Sequence, residues 1–156
     1  MRATVITASN RAAAGVYQDT GGPVIVTALT ELGFEVTGPV VVPDGQPVAD
    51  AIQQALDAGA RAILTTGGTG LTPTDLTPEM TGPFLEREVT GIAEAIRAHG
   101  ASNGVPTAAL SRGLAGVSGR ALVVNLPGSK GGVKDGLAVV VPLLLHAVQQ
   151  IEGSDH

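Results

Sequence analysis

Ile63-Leu64-Thr65-Thr66-Gly67-Gly68-Thr69-Gly70 carries a short apolar run straight into a loop of glycine and threonine. The chain continues as Leu71-Thr72-Pro73-Thr74-Asp75-Leu76-Thr77-Pro78-Glu79. The apolar run reads as a buried strand. Glycines let the following backbone turn tightly and approach a ligand, and their N–H groups with threonine hydroxyls can line a nest for an anion. Thr77-Pro78 reads as an N-cap and first helical residue, which would aim a positive helix end at the loop. The stretch therefore predicts a strand, a phosphate or pterin cradle at Thr66, Gly67, Gly68, Thr69 and Gly70, and a helix.

The same alternation extends outward in both directions. Residues 3–8, 34–42, 61–64 and 121–124 read as strands, the second interrupted near Gly38-Pro39. Helices are expected from Pro23 to Leu32, Gln46 to Ala58, Pro78 to about Leu85 and Gly91 to His99. Pro106 to Leu110 reads as a short helix, and Leu114 to Val117 as a short strand. A last helical region buries Val133, Leu137, Val141, Leu144, Val148 and Ile151, and Pro142 is expected to break or kink it. Strands alternating with helices predict a three-layer α/β/α sandwich around a mostly parallel sheet. Right-handed crossovers then gather loops 9–19, 43–46, 67–77 and 125–132 on the carboxyl edge of the strands, where parallel sheets bind ligands.

Composition narrows the partners. The 156 residues suit one domain spanning 1–156, and 44% hydrophobic content predicts a packed core. The net charge is -5, and Tyr17, Phe34 and Phe84 are the only aromatics, so a nucleic-acid track with stacking rings is not expected. There are no cysteines, which excludes disulfides and thiolate sites and suits the cytoplasm. The N-terminus lacks the apolar run of a signal peptide. Leu137–Leu145, the most apolar later stretch, is far short of a membrane span. A soluble, cytoplasmic protein without a membrane partner is expected. His156 is expected to be disordered.

Each chemical feature has a plainer alternative. The loop at 67–70 lacks the Gly-Lys-Ser/Thr of a phosphate-binding Walker loop and the spacing of a dinucleotide fingerprint, so it could be a tight turn. Asp75 and Glu79 follow it closely, although carboxylates repel phosphate. A Mg²⁺ between them resolves that conflict, because it binds one or two carboxylates together with phosphate oxygens. The alternative makes Asp75 a turn residue and Glu79 a helix-dipole partner. Asp44, in Pro43-Asp44-Gly45, is either an ordinary turn residue or a second carboxylate on the same rim. Asn125-Leu126-Pro127-Gly128-Ser129-Lys130-Gly131-Gly132 offers a second glycine loop whose amides, Ser129 and Lys130 can meet an anion, or a plain strand-to-helix turn. Ser111-Arg112 offers a bidentate phosphate contact or a surface arginine. His99 and His146 stand at no metal-ligand or triad spacing in the sequence and are expected to be structural or exposed. Catalysis, if present, would work by positioning and electrostatics.

Several of these segments together resemble the molybdenum-cofactor biosynthesis family, which includes molybdopterin adenylyltransferases and the N-terminal domain of gephyrin. The resemblance rests on Thr65-Thr66-Gly67-Gly68-Thr69-Gly70 with Asp75-x-Thr77-Pro78-Glu79. It is supported by Ser9-Asn10-Arg11-Ala12, Gly15-Val16-Tyr17-Gln18-Asp19, Val42-Pro43-Asp44, Leu110-Ser111-Arg112 and Asn125-Leu126-Pro127-Gly128-Ser129. It implies a three-layer α/β domain, usually trimeric, that binds molybdopterin. It further implies AMP transfer from ATP to molybdopterin with Mg²⁺ and release of pyrophosphate. Asp44 and Asp75 would be the essential carboxylates and Mg²⁺ holders. Thr66, Gly67, Gly68, Thr69, Gly70, Glu79, Ser111, Arg112, Asn125, Pro127, Gly128 and Ser129 would bind substrate or nucleotide. A hand-over to a molybdenum-insertion protein is a further expectation, and a non-catalytic pterin carrier is the alternative. The chain departs from relatives at Asn10, often Asp, and at Thr74, often Arg, and Arg112 or Lys130 would replace that missing cation.

Overall fold

The computed structural model describes residues 1–154; the expectation for His156 lies outside them. Strands β1 (Arg2–Ala8), β2 (Glu35–Val42), β3 (Ala62–Thr66), β4 (Arg87–Glu88), β5 (Ala115–Ser118) and β6 (Ala121–Leu126) form a single sheet in the order β2-β1-β3-β6-β5-β4. The helices are α1 (Asn10–Ala13), α2 (Gly21–Glu31), α3 (Gln46–Asp57), α4 (Thr77–Thr81), α5 (Thr90–Ser102) and α6 (Lys130–Ile151). β2, β1, β3 and β6 run parallel, while at one edge β5 pairs antiparallel with β6, and β4 antiparallel with β5.

Strand side chains alternate between faces, and the core divides accordingly. Val5, Leu64, Leu122, Val124 and Leu126 pack with Ile25 and Leu29 of α2, Ile92 and Ile96 of α5, and Val133, Val140, Leu144 and Val148 of α6. Ile6, Ile63 and Val123 pack with Val48 and Ile52 of α3, with Met80 of α4 against them. The mostly parallel three-layer expectation is met. The interruption at Gly38-Pro39 takes the form of a register shift between Thr4 and Ile6 of β1, and β2 continues through it.

Other expectations need correction. Pro142 does not break α6, which runs unbroken from Lys130 to Ile151. Pro142 lies on the exposed face, and so does Ala138, whose carbonyl loses its usual partner and can turn to water. The buried face of Val133, Leu137, Val140, Leu144 and Val148 holds the helix against the sheet. At 22 residues α6 is long and apolar enough to cross a membrane, but that apolar face lies within the core. Thr77 is the first helical residue of α4 rather than its cap, and Leu76 at the cap position makes no side-chain bond. α4 has only five residues and gives way to a 3-10 turn at Gly82–Phe84. α2 begins at Gly21, two residues before Pro23, because the Asp19 carboxylate accepts from the Gly22 N–H at 3.0 Å.

Candidate functional site

The parallel strands bring their carboxyl ends, and the loops that follow, to one edge. The loop after β3 is shaped by Gly67 (φ +89°) and Gly68 (φ +69°), a region that favours glycine. Three successive carbonyls are tied back. Gly68 O accepts from Thr77 N at 3.0 Å, and Thr69 O from Arg112 N at 2.8 Å. Gly70 O accepts from Arg112 Nε at 2.9 Å. In a planar trans peptide the next N–H points opposite to the carbonyl. The amides of Thr69, Gly70 and Leu71 therefore point away from Thr77 and Arg112, as an anion nest requires.

Arg112 is the clamp of this loop. Its other donors reach Asp75 O at 2.8 Å and both carboxylate oxygens of Glu79 at 2.8 and 2.9 Å. The guanidinium bond holds the Glu79 carboxyl below its ordinary 4.5, and the Arg112 pKa is raised in return by Glu79. Every guanidinium nitrogen thus has a partner within the protein. Arg112 spends its donors on the loop and on Glu79, and Lys130 lines neither cavity described below.

Asp44 follows β2. Its N–H donates to Asn10 Oδ1 at 2.9 Å, so the amide oxygen of Asn10 performs what an aspartate oxygen would do there. Asp44 Oδ1 is buried without a hydrogen-bond partner, and so is Thr77 Oγ1. Both face Gly68: a methyl group there would collide with Thr77 Oγ1 and sit 2.5 Å from Asp44 Oδ1. Burial raises the pKa of Asp44 above its ordinary 3.8, and the neighbouring charge of Asp75 raises it further. Asp75 Oδ2 accepts from Thr72 N at 3.1 Å and lies 2.7 Å from where a Gly70 Cβ would stand. The two carboxylates thus abut the glycine loop, Asp44 at Gly68 and Asp75 at Gly70.

The loop after β6 closes against the first. Thr66 Oγ1 donates to Pro127 O at 2.7 Å, and Gly128 abuts Gly67 so closely that a Cβ would lie 3.1 Å from Gly67 Cα. Ser129 caps α6 by accepting from Gly132 N at 3.0 Å. A cavity of about 360 Å³ opens beside this junction. Gly68, Thr69, Gly70, Asp75, Ser111, Pro127, Gly128 and Ser129 line it, and Ser111 Oγ meets Thr69 Oγ1 at 3.4 Å. Thr66 and Gly67 line a smaller cavity of about 180 Å³ with Tyr17 and Asp19.

Not every expected site residue reaches these cavities. Asn125 is buried, and its amide donates to Thr65 Oγ1 at 2.9 Å and Thr81 Oγ1 at 3.1 Å while accepting from Leu114 N at 3.0 Å. It ties β3, α4 and β5 together beneath the site. Glu79 is held by Arg112. Asp44 lies under Gly68, outside the lining of either cavity. Conversely, the larger cavity uses Ile96, Gly100, Val105, Ala108 and Asp135, which no motif singled out. Asp135 was findable: it stands three residues after Gly132 on a helix, hence on the face that begins at the loop.

The donor set fits Mg²⁺. Asp44 offers a buried oxygen without a partner, and its pKa is raised first by burial and then by the charge of Asp75, both of which a bound cation would offset. Among the described residues no three or more His, Cys, Asp or Glu come together, so the fit is to an ion that uses one or two carboxylates plus phosphate. Two carboxylates beside a glycine loop, on the carboxyl edge of a mostly parallel sheet, place this chain among α/β proteins with their candidate site at the strand ends.

Comparison with known proteins makes the class specific. A family model described as a probable molybdopterin binding domain matches residues 4–146, and the chain belongs to that family. It is 41% identical over 99% of its length to the molybdenum cofactor biosynthesis bifunctional protein of Synechococcus elongatus, but spans only 48% of that protein. It is 35% identical to the molybdopterin adenylyltransferase of Pyrococcus furiosus, covering 93% of this chain and 88% of the relative. The solved structure of the molybdopterin biosynthesis Mog protein from Mycobacterium ulcerans matches with a TM-score of 0.91 at 50% identity, covering 96% of this chain and 98% of that one.

Proposed function

We propose that the protein is a molybdopterin adenylyltransferase, joining AMP from ATP to molybdopterin and releasing pyrophosphate. The observation that carries this reading is the pairing of Asp44 and Asp75 against the tied-back loop 67–70. A protein that only held a pterin phosphate would be weakened by two carboxylates beside it. The names of relatives such as the adenylyltransferase of Pyrococcus furiosus support the reading.

In this mechanism a phosphate oxygen of molybdopterin forms a bond to the α-phosphorus of ATP, and the bond to the departing pyrophosphate breaks. The amides of Thr69, Gly70 and Leu71 donate to the oxygens on which charge develops, already oriented by Arg112 and Thr77. Thr69 and Ser111 supply hydroxyls at the same wall. Mg²⁺, when held by Asp44 and Asp75, supplies neutralisation of the triphosphate. Asp44 serves in its ionised form, which its burial disfavours.

The reading extends to a single domain over residues 1–156, a homotrimer, a cytoplasmic location and delivery of the product to a molybdenum-insertion protein. The purified chain, incubated with ATP, Mg²⁺ and molybdopterin, is expected to release pyrophosphate only when all three are present. Tight pterin binding without pyrophosphate release would refute the transferase reading and select a carrier.

A further inference from the structure

The larger cavity ends on a carboxylate that the mechanism does not use. Asp135, near the start of α6, lines the same cavity as Asp75. Its Oδ1 accepts from Asn103 Nδ2 at 2.8 Å, with His99 Nε2 at 4.0 Å. No hydrogen bond engages Oδ2 among the described residues. That oxygen lies 3.9 Å from where a Gly100 Cβ would stand, and Gly100 also lets Ala108 come close. Asn103 thus fixes the orientation of the carboxylate, and each oxygen keeps a lone pair for a ligand. Ile96, Val105, Ala108 and Leu110 give the cavity an apolar part, alongside Arg97 and Thr107.

We propose that Asp135 is the residue that selects the pterin ring, accepting two hydrogen bonds from its 2-amino group and adjacent N3–H. This rests on the reading that the cavity takes molybdopterin. A carboxylate offers acceptors only, so it pairs bidentately with two N–H donors side by side. A pterin presents that edge. Adenine does not, because its amino group adjoins ring nitrogens that are themselves acceptors and would face a carboxylate oxygen. The apolar part of the wall suits the face of a flat ring. The outward amides of the glycine loop then receive the phosphate at the other end. Asp135 touches the ligand far from the reacting phosphorus and sets specificity rather than rate.

The test uses 6-hydroxymethylpterin phosphate and the matching lumazine, in which oxygen replaces the 2-amino group. The wild-type protein is expected to bind the pterin roughly tenfold or more tightly than the lumazine, the scale of a charge-assisted hydrogen bond. D135N places one donor against that edge, so the preference should largely vanish while ATP affinity and melting temperature stay unchanged. A D135N protein that keeps the preference overturns the role of Asp135 and leaves the transferase reading standing. Loss instead of a preference for ATP over 2′-deoxyATP would assign the carboxylate to the ribose and overturn it as well. A wild-type protein that binds neither pteridine overturns both.

Discussion

The two glycine loops that meet at Gly67 and Gly128 are built on opposite plans. The loop after β3 is held from outside: Arg112, 42 residues from Gly70 in sequence, takes its carbonyl and the Asp75 carbonyl and grips Glu79. The helix it leads to has five residues and no side-chain cap. The loop after β6 has a single side-chain bond from a distant segment, Thr66 Oγ1 to Pro127 O, and is otherwise held by Ser129 capping a 22-residue helix. The first arrangement leaves consecutive amides outward and puts two carboxylates beside them. The second builds a wall and a support. Glycine content alone does not separate these roles; what the carbonyls are bonded to does.

Gly68→Ala should break that contrast most severely. The new methyl would require a positive φ and would displace Asp44 Oδ1 and Thr77 Oγ1 together. A stability loss on the order of 2–3 kcal/mol and near-complete loss of transfer activity are expected, measurable by chemical denaturation and pyrophosphate release. A variant with wild-type activity would show that the loop tolerates a different shape.

Asp75→Asn probes the electrostatics of the first loop. Asp44 has a raised pKa, so its contribution to stability is fully present below 3.8 and is lost as pH rises through the raised value. Removing the Asp75 charge takes away the second cause of that shift. The Asp44 titration, followed by carbon-detected NMR, should move downward but stay above 3.8, because burial is the larger cause. No movement would mean the two carboxylates do not sense one another. Glu79 has the opposite sign: its support is present above 4.5 and lost as pH falls through its lowered value.

Gly131→Ala is the mild counterpart in the second loop. Its Cβ meets nothing within 4 Å and the residue lies within α6. A stability gain of about 0.5 kcal/mol is expected, read from the same denaturation assay. A loss as large as that of Gly68→Ala would erase the distinction between the loops.

The sheet was legible because its central strands are short apolar runs, such as Ile63–Thr66 and Ala121–Val124, ended by glycine or proline. The antiparallel edge was less so. β4 is two exposed residues, Arg87 and Glu88, and owes its strand geometry to pairing with Gly116 and Val117 rather than to any local pattern. Pro142 misled because propensity knows nothing of the core that holds α6 or of the solvent at Ala138. In the site, Asp75 and the loop 67–70 announced themselves by proximity in sequence. Asn125, in contrast, sits in a motif yet works beneath the site, since its polar neighbours Thr65 and Thr81 come from β3 and α4. Asp135 reaches the cavity only once α5 and α6 pack together. Sequence motifs reveal which residues gather; the bonds they make there depend on partners from distant segments.

The central claim is that Asp44 and Asp75 serve transfer rather than structure, and Asp44→Asn tests it most directly. The account predicts that this variant melts at or above the wild-type temperature at neutral pH, since the charge that burial disfavours is gone. It should still bind the pterin phosphate, yet release pyrophosphate from ATP and molybdopterin at least about a hundredfold more slowly. Pyrophosphate release at the wild-type rate by the folded variant would contradict the account.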